Sequence, residues 1–143
     1  MPDHSDCKAC TANARADDPY LVWRNDLWVL RHTRPPYAAL GWMTLHSQRH
    51  AESFTALSAT ELADLGPTMA RISTALIGAT GALRVYLASM TEMTPHFHAH
   101  LVPRYADGPK GWETFKLKQQ AASSTVTDES VHAVMTALRD ALS

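Results

Sequence analysis

His96-Phe97-His98-Ala99-His100-Leu101-Val102-Pro103-Arg104 is the stretch that decides the fold. Imidazoles alternate with apolar residues at a period of two, the period of a β-strand, and side chains at i, i+2 and i+4 of a strand share one face. His96, His98 and His100 therefore form a row of imidazoles, while Phe97, Ala99 and Leu101 turn towards a core. Random placement of the chain's eight histidines would rarely set three of them in register, so the strand reads as a site.

Working outward, Arg84–Ser89 is the strand before it, and Thr91-Glu92-Met93-Thr94-Pro95 is the turn between the two. Further upstream, Tyr20–Trp23 and Leu27–Leu30 flank Arg24-Asn25-Asp26 as a hairpin. Thr33-Arg34-Pro35-Pro36 breaks the sheet, because consecutive prolines remove donors and hold the chain extended. A third strand follows at Ala39–Leu45. Ser58-Ala59-Thr60-Glu61 fits a capping box, with both side chains answering orphan amides at a helix start. Leu62, Leu65, Met69, Ile72 and Leu76 then make one apolar helical stripe, a core face. Pro67 inside it predicts a kink near Gly66-Pro67 or two abutting helices, and Gly78 or Gly81 supplies the stop.

After Arg104, residues 106–126 read as a surface loop, with Trp112 as a packing residue within it. A last helix over 127–142 buries Val131, Val134, Met135, Leu138 and Leu142. Strands, a long helix, then strands predict one α+β domain over 1–143, a mostly antiparallel β-sheet with one long and one C-terminal helix. Residues 1–6 read as a mobile tail, and His4 and His132 as solvated.

A chain of 143 residues suits one domain with a real core. Hydrophobic content of 45% and charged content of 19% read as globular and soluble. A net charge of −1 leaves no electrostatic footprint for nucleic acid or anionic membrane. No apolar run approaches the roughly 20 residues of a membrane span. The opening Met1–Asp6 is polar and acidic, unlike a secretory leader, so the expected compartment is the cytoplasm.

Neutral imidazole can attack phosphorus, turning one hard displacement into two easier ones through a phosphoryl-histidine. The nucleophile needs its second nitrogen to donate a hydrogen bond, and it needs neighbouring donors for the phosphorus oxygens. A row of three imidazoles can supply all of this. The rival reading is a metal-dependent hydrolase with its ion on the histidine row. Cys7 and Cys10 likewise leave three readings: a redox pair, two unconnected thiols, or half of a tetrahedral zinc site.

The run His96–Val102 resembles the seven-residue signature of the histidine-triad (HIT) superfamily, His-φ-His-φ-His-φ-φ with φ apolar, and Pro103-Arg104 follows as is usual there. Gly41-Trp42-Met43-Thr44-Leu45 resembles the family's glycine-containing strand, Gln48-Arg49-His50 its closing basic-His turn, and Cys7-Lys8-Ala9-Cys10 the zinc half-site of bacterial members. The resemblance covers residues 7 to about 105 and implies a HIT-like α+β fold and a homodimer. It implies His98 as the nucleophile of a nucleotidyl intermediate and His100 as its phosphate-contacting partner. It also implies a structural zinc ion held by Cys7, Cys10, His50 and His96, the arrangement of zinc-bearing relatives and of galactose-1-phosphate uridylyltransferases. His32, at the start of the Pro-Pro loop, is a candidate substrate contact, as are Glu92 and Thr94 ahead of the triad. His46 could face solvent or replace His50 as a ligand.

The implied substrates are dinucleoside polyphosphates, nucleoside phosphoramidates and adenylylated small molecules, hydrolysed or transferred at the α-phosphate. A non-catalytic nucleotide-binding module is the alternative of another class. The chain departs from the family where a ribose-holding Asp or Asn gives way to Thr33-Arg34, Gly-His becomes Gly41-Trp42, and a Gln becomes Glu92.

Overall fold

A computed structural model describes residues 4–143. Residues 1–3 of the expected tail lie outside the described residues. The carbonyl of His4 accepts the Cys7 amide at 2.9 Å, and this turn leads into α1, Lys8–Asn13.

Five strands make one sheet: β1 (Leu21–Arg24), β2 (Trp28–His32), β3 (Met43–Ser47), β4 (Arg84–Ala88) and β5 (His98–Arg104). Their order is β1-β2-β3-β5-β4 and every neighbouring pair is antiparallel. The β1–β2 hairpin closes because the Asn25 side-chain oxygen accepts the amides of Leu27 and Trp28 at 2.9 and 2.8 Å, a side-chain mimic of a backbone turn. β3 begins four residues later than the sequence predicts. Gly41, just ahead of it, has φ +82°, and a Cβ there would sit 3.1 Å from atoms of Leu76, Thr80 and Pro103. Only glycine lets the chain enter β3 this close to the next layer.

One face of the sheet carries Trp28, Leu30, Met43, Leu45, Ala99 and Leu101, which are buried with residues of α2 (Ala59–Thr80) and α4 (Asp128–Leu142) in one core. α2 is a single 22-residue helix with Pro67 inside it, which removes the two abutting helices offered as one of the expectations. The carbonyl that Pro67 leaves without a donor belongs to Ala63, on the exposed side, where water can satisfy it. The buried line also differs from the apolar stripe. It runs through Glu61, Thr68, Ile72 and Leu76, and Leu62 is 41% exposed. Polar residues take inner positions because they pair with one another: Asp64 accepts from both Trp28 Nε1 (2.7 Å) and Thr68 Oγ1 (2.8 Å).

Only half of the capping box forms. Ser58 Oγ accepts the Glu61 amide at 3.1 Å, while the Glu61 carboxylate takes Arg49 Nε at 2.7 Å. Gly81, with φ +72°, ends the helix.

The segment expected as a loop at 106–126 is largely helical, with α3 (Trp112–Phe115) and a 3₁₀ turn at Lys116–Ser123. These pieces are too short to show a helical period in sequence. Trp112 is 80% exposed, so it is not the packing residue expected. The α4 stripe is buried as predicted, but inside this chain's own core, so it offers no face for a second copy. Among the described residues, no helix is long and apolar enough to cross a membrane.

Candidate functional site

The face of the sheet opposite the core carries the histidines. Antiparallel register sets His46 of β3 across from His98 of β5, and Thr44 across from His100. Phe97, Ala99 and Leu101 are buried, as the alternation requires. His96 departs from the expected row. It lies just before β5, is fully buried, and meets the cysteine pair.

Cys7 caps the N-terminus of α1 and Cys10 lies one turn on, so a short helix presents both sulfurs from one end. No disulfide joins them. Cys7 Sγ is 3.4 Å from His96 Nδ1, and Cys10 Sγ is 3.4 Å from His96 Nδ1 and 3.3 Å from His50 Nδ1. The ligand atoms of Cys7, Cys10, His50 and His96 all lie within 4.8 Å of one another. An ion about 2.3 Å from each sulfur and about 2.0 Å from each nitrogen would set the S···N edges of a tetrahedron at about 3.5 Å. The four donors fit that figure.

The surroundings orient them. His96 Nε2 donates to the Ser47 carbonyl at 2.7 Å, which leaves its Nδ1 lone pair facing the sulfurs. Arg49 ties the turn that carries His50 to Glu61 and to the Ala56 carbonyl. His4, expected in solvent, stacks on His50 with ring centroids 3.8 Å apart. Without an ion, burial and the neighbouring Cys7 thiol push Cys10 up to about 11. Cys7 and Cys10 would be held as thiolates if they ligated a cation, which would reverse that bias.

The other two triad histidines are wired through their ring nitrogens. His98 Nδ1 is 2.8 Å from the His96 carbonyl, an acceptor only, so Nδ1 carries the proton and neutral His98 keeps its lone pair on Nε2. His100 Nδ1 is 3.1 Å from Trp42 Nε1, a donor only, so here Nδ1 is the acceptor and the proton is on Nε2. Burial, with lesser contributions from Lys118 and His98, holds His100 down to about 4, so it stays neutral. The pair thus presents one nucleophilic nitrogen beside one N–H donor.

Two residues of this face went unrecognised in sequence. Trp42, read only as a departure from Gly-His, fixes the His100 tautomer; its sequence signal is an indole donor two residues before Thr44, the partner of His100. His46 neither faces open solvent nor replaces His50. It stacks on His98 with centroids 5.3 Å apart and planes 22° from parallel. Burial first, then the neighbouring histidines and Arg31, hold it down to about 3.

Three predicted substrate contacts do not join this face. His32 is 1% exposed and sits on the core side of β2. Its Nδ1 donates to the Thr33 carbonyl (2.8 Å) and its Nε2 accepts the Gly41 amide (3.0 Å), so both nitrogens are used in shaping the loop. Thr94 lines a cleft of about 270 Å³ beside Cys7 and His50, away from His98. Glu92 is exposed, and among the described residues no hydrogen bond links it to the triad. Cys7, Cys10, His50 and His96 are the one cluster of three or more metal-ligating side chains among the described residues, and of the triad it includes His96 alone.

No protein-family model matches this sequence, and no curated protein matches it. Solved structures do. A HIT-like protein of Bartonella henselae involved in cell-cycle regulation superposes with a TM-score of 0.74 at 13% identity, over 99% of both chains. A hypothetical histidine triad nucleotide-binding protein of Sulfolobus tokodaii gives 0.72 at 16% identity, over 95% of this chain and 91% of the other. A zinc-bound histidine triad family protein of Mycobacterium smegmatis gives 0.70 at 18% identity, over 94% of each. The chain has the histidine-triad fold.

Proposed function

We propose that this chain is a zinc-containing histidine-triad enzyme that attacks the α-phosphate of a nucleotide conjugate through His98. The observation that carries the reading is the opposite tautomers of adjacent histidines, His98 with its Nε2 lone pair free and His100 with Nε2–H available. His98 Nε2 forms a bond to phosphorus as the bond to the leaving group breaks, and the leaving group departs with that electron pair and takes up a proton. His100 Nε2–H holds a phosphoryl oxygen and stabilises the charge that builds there. Water, or another acceptor in a transfer reaction, then attacks phosphorus and returns the electron pair to His98.

Zinc, when bound by Cys7, Cys10, His50 and His96, is structural: all four positions are taken by protein, with none left for substrate. His96 would then join the metal site to the carbonyl that orients His98, so that ligation of His96 would also steady the direction of the nucleophile. A reducing cytoplasm suits an unbridged cysteine pair. The reading includes a homodimer, and the support for it lies on the open edge of β4, where Leu83 (56%) and Leu87 (52%) are exposed.

The test is release of nucleoside monophosphate from dinucleoside polyphosphates, nucleoside phosphoramidates and adenylylated small molecules, with acid quench to trap the adduct. An adduct on His98 that is lost in His98→Asn, with zinc and nucleotide affinity retained, is the expected result. Turnover surviving in His98→Asn would end the reading. Nucleotide binding without any turnover would leave a binding module.

A further inference from the structure

On β3, His46 occupies the position directly across from His98, and the two rings lie side by side with planes 22° apart. Along β5, His100 lies 5.5 Å from His98 between centroids. The nucleophile is therefore neighboured by imidazoles from two strands, not one. The zinc cluster does not use His46, and no hydrogen bond explains it: its Nδ1 is buried with no partner among the described residues. A strand position of this kind suits valine or isoleucine better than a half-satisfied imidazole.

The buried nitrogen fixes the tautomer. A dry lone pair costs less than a dry N–H, and orphaned buried N–H groups are the rarer of the two. The proton of neutral His46 thus sits on Nε2, at the end of the ring that is not sealed in. That places a second N–H donor beside His98, on the neighbouring strand.

Building on the reading of His98 as nucleophile, we infer that His46 is a further catalytic residue, whose Nε2–H holds a second oxygen of the α-phosphoryl group during attack by His98. It gives a hydrogen bond and not a proton, so the balance of the displacement is unchanged. Each of the two non-bridging oxygens would then have its own neutral donor, and the charge gathering on them in the transition state would be shared.

The experiment measures single-turnover formation of the nucleotidyl-His98 adduct from an adenosine 5′-phosphoramidate with a fluorogenic amine, in wild type, His46→Val and His46→Asn. The expected loss in His46→Val is about 10²–10³-fold, the range for one such donor. AMP affinity and zinc content should stay within about twofold, and His46→Asn, which keeps an N–H donor, should recover at least about tenfold of the rate. With the Rp and Sp α-phosphorothioates, the His46→Val loss should differ between diastereomers, because only one oxygen meets His46. A merely structural role would lower both equally and would track lost zinc or folded protein, and that pattern overturns the inference, as does a His46→Val rate near wild type. A wild-type protein that forms no adduct at His98 overturns the nucleophile reading itself; an adduct that forms equally well in His46→Val overturns only the role of His46.

Discussion

Replacing Trp42 with phenylalanine isolates what a single indole N–H does to the site. Trp42 is 2% exposed and its Nε1 donates to His100 Nδ1 at 3.1 Å, so the change keeps an aromatic ring against Phe115 and removes one donor. A neutral hydrogen bond contributes about 0.5–1.5 kcal/mol net, which is about 2–13-fold in the ratio of the two His100 tautomers. A bond that only selects a tautomer cannot cost more rate than the ratio it sets. Turnover should therefore fall roughly 2- to 13-fold, well short of the roughly 10²–10³-fold expected from deleting the His100 donor itself. Leaving His100 Nδ1 as an unpaired buried acceptor should also lower stability by about 1–3 kcal/mol. Ring-nitrogen NMR of ¹⁵N-histidine protein reads the tautomer directly, urea unfolding reads the stability, and adduct formation reads the rate. If wild-type His100 carries its proton on Nδ1, or if Trp42→Phe leaves both the tautomer and the rate unchanged, the assignment of donor and acceptor at this site is wrong.

Elemental analysis should find one zinc per chain, and Cys10→Ser should lose it together with stability, since a structural zinc contributes folding energy directly; equal zinc in both proteins would remove the metal assignment. The depressed pKa of His100 gives a pH signature. An unfolded histidine takes up a proton near 6.5 and the folded one only near 4, so this contribution is intact above about 6.5 and declines as pH falls towards 4. Between pH 6 and 5, wild type should lose up to about 1.4 kcal/mol more than His100→Asn, and identical slopes would contradict it. Gly41→Ala combines positive φ with three contacts at 3.1 Å, and urea unfolding should show a loss of about 2 kcal/mol or more. Leu87→Glu on the open edge of β4 should convert a dimer to monomer by light scattering, whereas a wild type that already scatters as a monomer would remove the dimer from the proposed function.

The period-two run from His96 to Arg104, the hairpin residues around Asn25 and the apolar spacing of α4 are local patterns, and local patterns were enough for the strand, the turn and the last helix. The spacing of Cys7 and Cys10 left three readings open, the resemblance implied the zinc one, and only the fold brings His50 and His96 to the pair. The remaining features depend on neighbours distant in sequence. Leu65, Met69, Ile72 and Leu76 of the α2 stripe reach the core as their spacing predicts, but the stripe did not reveal that Thr68 is buried, because its partner Asp64 is fixed there by Trp28 from another element. His32 looked like a substrate contact until β2 pairing turned it to the core side, where Thr33 and Gly41 take both its nitrogens. His46 gained its place beside the nucleophile from the β3–β5 register, and His100 its tautomer from an indole 58 residues away. A sequence records which groups can donate, accept or ligate; the folded sheet alone decides which of them meet, because a one-residue change of register would send each side chain to the opposite face.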